Sequence, residues 1–170
     1  GFDHVGNVYH NNPDFLGLHE IAVQNMDWIT ETAVEFVGQK RDNPFFLYVA
    51  TTIPHAPEGA KRSWNANPLI TPLGYLEKPL TVQPARETIP ARLKENGFKV
   101  TNDTANMLWM DDALGALFAK LEETGQIDNT IIFFFNDHGQ SSKGTLYQGG
   151  VHDPSIIWKK GGFKCGPSLD

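Results

Sequence analysis

Thr130-Ile131-Ile132-Phe133-Phe134-Phe135-Asn136-Asp137-His138-Gly139 runs from six consecutive β-favouring residues into a polar stretch that ends in glycine. β-Branched and aromatic side chains suit a pleated strand, and an unbroken apolar run predicts one buried on both faces, as in a parallel sheet. The same reading applies to Phe45-Phe46-Leu47-Tyr48-Val49-Ala50-Thr51, and Ser155 to Trp158 is a candidate third strand. Between the first two runs, Met107, Met110, Leu114, Leu117 and Leu121 recur at helical spacing, with Asn102 placed as N-cap and Gly125 just past the end. That pattern predicts a helix from about Asp103 to Thr124. Upstream, Ile29, Ala33, Phe36 and Val37 mark one face of an amphipathic helix from Trp28 to Gln39, closed by Gly38.

Strand, helix, strand in that order predicts a right-handed crossover between parallel strands, and hence the α/β class. Ligands of open parallel sheets bind beyond the carboxyl ends of the strands. Two segments fall there, Pro54-His55-Ala56-Pro57 and Asp137-His138-Gly139. The first 27 or so residues show no sustained period and read as irregular loop. Seven of the 11 prolines lie between Pro54 and Pro90, and residues 54–101 read as a long excursion over the surface without a periodic element of their own. Loops of that length are often functional.

With 170 residues the chain is long enough for one domain, or for one piece of a larger one. Hydrophobic residues make up 40% and charged residues 20%, with a mean hydropathy of -0.34, which argues against disorder. No apolar run approaches the ~18 residues of a membrane-spanning helix. The 14 Lys+Arg are outnumbered by 20 Asp+Glu and are scattered singly, so nucleic-acid binding through a basic face is not expected. The single Cys165 cannot form an internal disulfide. The chain starts at Gly1 without a signal-peptide layout, so its natural N-terminus is expected elsewhere, and localisation is left open.

Asp137-His138-Gly139 presents a carboxylate and an imidazole where the strand ends. A carboxylate suits a hard cation such as Ca²⁺ or Mg²⁺, and histidine adds a nitrogen ligand or a hydrogen bond. The competing reading is an ordinary Asp-x-Gly turn. His55, held between Pro54 and Pro57, is either a solvated loop histidine or an acid at the same sheet edge. Lys143 is a compact cation beside that edge, able to hold an anionic group, and alone it is a surface lysine. Asp111 and Asp112 are neighbours on a helix and diverge, so a solvated or locally hydrogen-bonded role is expected for them.

Taken in order, these segments resemble the second half of the catalytic domain of a type I sulfatase, in the alkaline-phosphatase superfamily. The resemblance rests on Pro44-Phe45-Phe46-Leu47-Tyr48-Val49 with Pro54-His55-Ala56-Pro57, and on Met110-Asp111-Asp112-Ala113-Leu114-Gly115 in a helix ending Leu121-Glu122-Glu123-Thr124-Gly125. It continues through Asp128-Asn129-Thr130-Ile131-Ile132 to Asp137-His138-Gly139, and through Lys143-Gly144-Thr145-Leu146-Tyr147-Gln148-Gly149-Gly150 to Pro154. It implies an alkaline-phosphatase-like sandwich, a mostly parallel sheet flanked by helices, here incomplete. It also implies a formylglycine hydrate that attacks the sulfur of an aryl or carbohydrate sulfate ester, a covalent sulfoenzyme intermediate, and a Ca²⁺ that polarises the sulfate oxygens; Mg²⁺, Mn²⁺ and Zn²⁺ are less favoured.

Carried over position by position, Asp137 and His138 match metal ligands, the second being commonly asparagine in the family. His55 matches the histidine that protonates the leaving alcohol, and Lys143 the lysine that contacts the sulfate. The formylglycine cysteine and its arginine have no match here and are expected outside this chain. Cys165-Gly166-Pro167-Ser168-Leu169 has four of five positions of the formylglycine signal, but lacks its arginine and follows the second strand, so it is read as chance. The isolated chain is therefore expected to have no turnover and to leave an apolar sheet edge exposed. Two alternatives stand beside this reading: a phosphonate monoester or phosphodiester hydrolase on the same core, and a non-catalytic remnant. Specificity is expected from the excursion, where Lys61, Arg62, Trp64 and Tyr75 are placed to meet a sugar or aryl group.

Overall fold

Asn25 begins the first helix, α1 (Met26–Gly38), by accepting the Trp28 N–H at 3.3 Å through Oδ1, while its Nδ2 donates to the carbonyls of Pro68 and Ile70, each at 3.0 Å. One amide thus caps the helix and pins a distant segment to it. In the computed structural model, residues 1–9, 23–54, 64–139 and 142–163 are described. They fall into two units, Gly1–Leu121 and Glu122–Asp170.

In the first unit, α1 starts two residues ahead of the expected helix and ends at Gly38 as expected, burying Met26, Ile29, Ala33 and Val37 along one face. Phe36 is only half-buried; it stacks on His4 and meets Phe45 edge-on at 5.4 Å. The long helix α3 (Asn102–Glu123) lies within one residue of the expected span. Its cap is Thr101 rather than Asn102. Thr101 Oγ1 accepts the Thr104 N–H at 3.1 Å, and Thr104 Oγ1 accepts the Thr101 N–H at 3.0 Å, a reciprocal box that satisfies two otherwise orphaned donors. Gly125 follows the helix at φ +70°, the left-handed conformation that glycine adopts without steric cost. The buried face of α3 carries Ala105, Asn106, Trp109, Met110 and Ala113, whereas Met107 is exposed. Of the expected stripe Met110 and Leu121 are buried, and Trp109, outside that stripe, is fully buried.

The proline-rich stretch has more structure than its sequence promised. It holds a two-residue ladder of β1 (Ile70–Thr71) with β2 (Gly74–Tyr75), a 3-10 turn at Arg86–Thr88 and α2 (Ile89–Glu95), with Pro90 in the first helical turn where its missing N–H is harmless. Ile70, Gln83, Arg86, Ile89 and Leu93 are buried, so the stretch contributes to the core of this unit. Arg86 enters between helices: Nε donates to Asp27 Oδ2 at 2.6 Å, Nη2 to Asn25 Oδ1 at 2.5 Å, and the guanidinium lies 4.3 Å from the Trp109 ring centre. Trp109 Nε1 donates to the other Asp27 oxygen at 2.8 Å. Burial pushes the Arg86 pKa down from its ordinary value, and the Asp27 carboxylate opposes that shift.

Phe45–Thr51 does not form the expected strand. It has no ladder among the described residues, and Phe46 and Tyr48 are 75% and 56% exposed. Extended backbone is buried on both faces only when strands flank it and layers cover it, and no such partner pairs with this segment among the described residues. The crossover between parallel strands is accordingly not formed among the described residues, whose ladders are both antiparallel.

In the second unit, β3 (Ile131–Phe135) pairs antiparallel with β4 (Ser155–Lys159), in a register that sets Phe133 opposite Ile157 and Phe135 opposite Ser155. The strand is where the sequence put it, but Ile131, Phe133 and Phe135 are each more than half exposed, so it is not buried on both faces. A short helix, α4 (Gln148–Val151), leads into β4. The whole is a mixed helix-and-strand architecture with small sheets.

Candidate functional site

Past Phe135 the β3 ladder stops, and Asn136, Asp137 and His138 project from its end. The side chain of Asp137 is 84% exposed and that of His138 32% exposed. His138 Nδ1 lies 2.6 Å from the Gly139 carbonyl oxygen. A carbonyl can only accept, so Nδ1 carries the proton, and in the neutral ring Nε2 is the lone-pair nitrogen. That nitrogen lies 3.6 Å from Asp137 Oδ1.

Asp137 and His138 offer a carboxylate oxygen and an imidazole nitrogen, both donors to divalent cations. Bonds of about 2.0–2.6 Å to one ion require two donors to lie within roughly 5 Å of each other, and these two meet that limit. A histidine ligand usually donates its other ring N–H to a carbonyl or carboxylate, which fixes the tautomer, and His138 already does so. The pair therefore fits a divalent cation but supplies only two donors. No group of three or more His, Cys, Asp or Glu able to hold an ion occurs among the described residues.

The segment that bears Lys143 reaches the same strand end through glycines. Gly139 N–H donates to the Gly150 carbonyl at 3.0 Å. A Cβ on Gly139 would lie 2.3 Å from the Gly149 carbonyl oxygen, and one on Gly150 would lie 2.7 Å from the carbonyl oxygens of both Ser142 and Thr145. Only bare Cα atoms allow these backbones to touch. Lys143 is exposed in a turn closed by Thr145 N–H to the Ser142 carbonyl at 3.1 Å, with Gly144 at φ +83°. No hydrogen bond or ion pair joins Lys143 to Asp137 or His138 among the described residues.

His55 lies outside the described residues, as do Lys61, Arg62 and Cys165. Of the excursion residues placed to meet substrate, Trp64 is half-buried with its backbone N–H on Asn106 Oδ1 at 3.3 Å, and Tyr75 is 66% exposed. Asp112 receives a two-point contact from Arg92 of α2, at 2.7 and 2.5 Å, so it is hydrogen-bonded as expected but by a partner 20 residues away and not a local one. Asp153, which the sequence did not single out, accepts the Asn136 N–H at 2.8 Å. That contact joins residues 17 apart in sequence, and no local pattern announces it.

No helix among the described residues is long and apolar enough to cross a membrane. A family model described as Sulfatase matches residues 1–165. The chain is 27% identical over 184 residues to the uncharacterized sulfatase YdeN of Escherichia coli strain K12, covering 98% of this chain and 29% of that protein. It is 24% identical over 179 residues to the N-acetylgalactosamine-6-sulfatase of Homo sapiens, covering 95% of this chain and 28% of the relative. A shorter match, 37% identical over 68 residues, covers 38% of this chain and 11% of the ulvan-active sulfatase of Formosa agariphila. The chain thus spans less than a third of the length of these relatives. With the model matched along nearly its whole length, the chain belongs to the sulfatase family.

Proposed function

We propose that this chain is the C-terminal part of a sulfatase catalytic domain and that the protein hydrolyses aryl or carbohydrate sulfate esters, with a formylglycine nucleophile outside these 170 residues. The observation that carries the reading is the Asp137–His138 pair at the end of β3, with its tautomer set by the Gly139 carbonyl, in a chain of this family. A divalent cation bound there, Ca²⁺ before Mg²⁺, Mn²⁺ or Zn²⁺, supplies positive charge against the sulfate oxygens. Asp137 and His138 Nε2 hold it. Lys143, on a glycine-tethered turn, binds the anionic sulfate and offsets charge that develops as the S–O bond breaks. His55 delivers a proton to the departing alcohol oxygen, which matters most when that oxygen is a poor leaving group. Two relatives act on sulfated carbohydrates by their names, which supports a sugar sulfate as substrate.

The test compares sulfate release by the natural full-length protein and its His55→Gln variant on two esters of different leaving-group acidity. The variant is expected to lose roughly 10²–10⁴-fold in kcat on an alkyl or sugar sulfate and much less on a nitrophenyl sulfate. Equal losses on both would remove His55 from the proton-transfer role, and no sulfate release by the parent would end the sulfatase reading.

A further inference from the structure

The register of the β3–β4 ladder carries a consequence at its open end. Phe135 faces Ser155, so the next pair would set Asn136 opposite Pro154. Proline has no N–H, and a ladder cannot continue through it. Past the last pair, Phe135 with Ser155, the Asn136 N–H donates to the Oδ1 atom of Asp153 at 2.8 Å. Asn136 and Asp153 are both half-buried. The two residues between this contact and the Gly139–Gly150 hydrogen bond are Asp137 and His138. The pair is therefore clamped on both sides, and both clamping partners, Gly150 and Asp153, belong to one short segment around α4.

We propose that Asp153 is a positioning residue of the metal site: its carboxylate accepts the Asn136 N–H just past the end of the ladder and fixes the peptide from which Asp137 and His138 reach the ion. The inference rests on the reading of Asp137 and His138 as ligands. Groups that orient metal ligands without touching the metal typically change affinity by about 10–100-fold when removed. Asparagine keeps an oxygen that can accept the same N–H, whereas alanine does not, so the two substitutions separate acceptance of that hydrogen bond from mere occupancy.

The experiment is calorimetric titration of the metal-stripped, natural full-length protein with Ca²⁺, for the parent, Asp153→Ala, Asp153→Asn and Asp137→Asn, with the thermal midpoint of each metal-free form measured alongside. Asp153→Ala is expected to weaken Ca²⁺ binding at least 10-fold and Asp153→Asn less than 3-fold. A residue that only stabilised the fold would shift the metal-free midpoint and leave affinity unchanged. Asp153→Ala binding Ca²⁺ within 3-fold of the parent, or Asp153→Asn losing as much as Asp153→Ala, overturns the proposal. Should Asp137→Asn bind as the parent does, the ligand assignment falls and this inference with it; loss in Asp137→Asn beside unchanged Asp153→Ala overturns the positioning role alone. Amide hydrogen exchange on the parent gives a readout that needs no variant to fold: Asn136 is expected to be protected, and fast exchange there contradicts the clamp.

Discussion

Arg86 Nε lies 2.6 Å from Asp27 Oδ2, with each side chain 7% exposed, across 59 residues of sequence. The ion pair fastens the 3-10 turn of the proline-rich stretch to the first turn of α1, and Trp109 of α3 shares the same carboxylate. Removing one member of a buried pair strands the other, at about 3–5 kcal/mol. Asp27→Asn is therefore expected to lower unfolding free energy by about that amount in denaturant titration. A loss below about 1 kcal/mol would show that the pair does not hold these elements together.

Asp112 is predicted to serve stability. Its side chain is 8% exposed, and Arg92 contacts both its oxygens, which raises the Arg92 pKa chiefly through that hydrogen bonding. Asp112→Ala should cost about 1.5–3 kcal/mol in chemical unfolding, the range of a hydrogen bond to a charged group. It should leave Ca²⁺ affinity unchanged.

Two glycine substitutions should move in opposite directions. A Cβ on Gly139 would lie 2.3 Å from a backbone oxygen, so Gly139→Ala must separate the Asp137 loop from the Gly149–Gly150 segment, lowering both thermal stability and Ca²⁺ affinity. Gly115, exposed inside α3, has nothing within 4 Å of the same position. Gly115→Ala should therefore stabilise by about 0.5–1 kcal/mol through helix propensity and reduced unfolded-state entropy.

Tyr9 gives a titration signature. Burial pushes its phenol up to about 12, with the Asn25 backbone hydrogen bond and the Arg86 charge acting the other way. The folded value lies above the ordinary one near 10. Its contribution to stability is thus fully present below about pH 10 and is lost as pH rises through about 12. Ultraviolet titration of the native protein should show one phenol ionising near pH 12, and Tyr9→Phe should abolish that step.

Local chemistry was legible where a short pattern was sufficient. The spans of α1 and α3, the strand at Ile131, and the position of Asp137 and His138 at its end all follow from periodicity and from where the apolar run stops. Burial was less legible. Phe45–Thr51 has strand composition, yet a strand exists only with a partner, and composition does not supply one. The antiparallel pairing of β3 with β4 is likewise a long-range choice. The ion pair of Asp27 with Arg86 and the clamp of Asn136 by Asp153 join residues 59 and 17 positions apart. Neither has a spacing that a window along the sequence can detect. Thr101 displaced Asn102 as the cap of α3 because Thr104, three residues on, could answer it; cap choice depends on that reciprocal partner.

The most direct test of the central claim is sulfate release from an aryl sulfate by the natural full-length protein, comparing the parent with Asp137→Asn and Lys143→Ala in the presence of Ca²⁺. The parent is predicted to release sulfate, and each variant to lose about 10²-fold or more in kcat/KM, the usual scale for removing a charge-stabilising group. A parent that hydrolyses a phosphonate monoester but no sulfate ester, or variants that match the parent on sulfate, would contradict it.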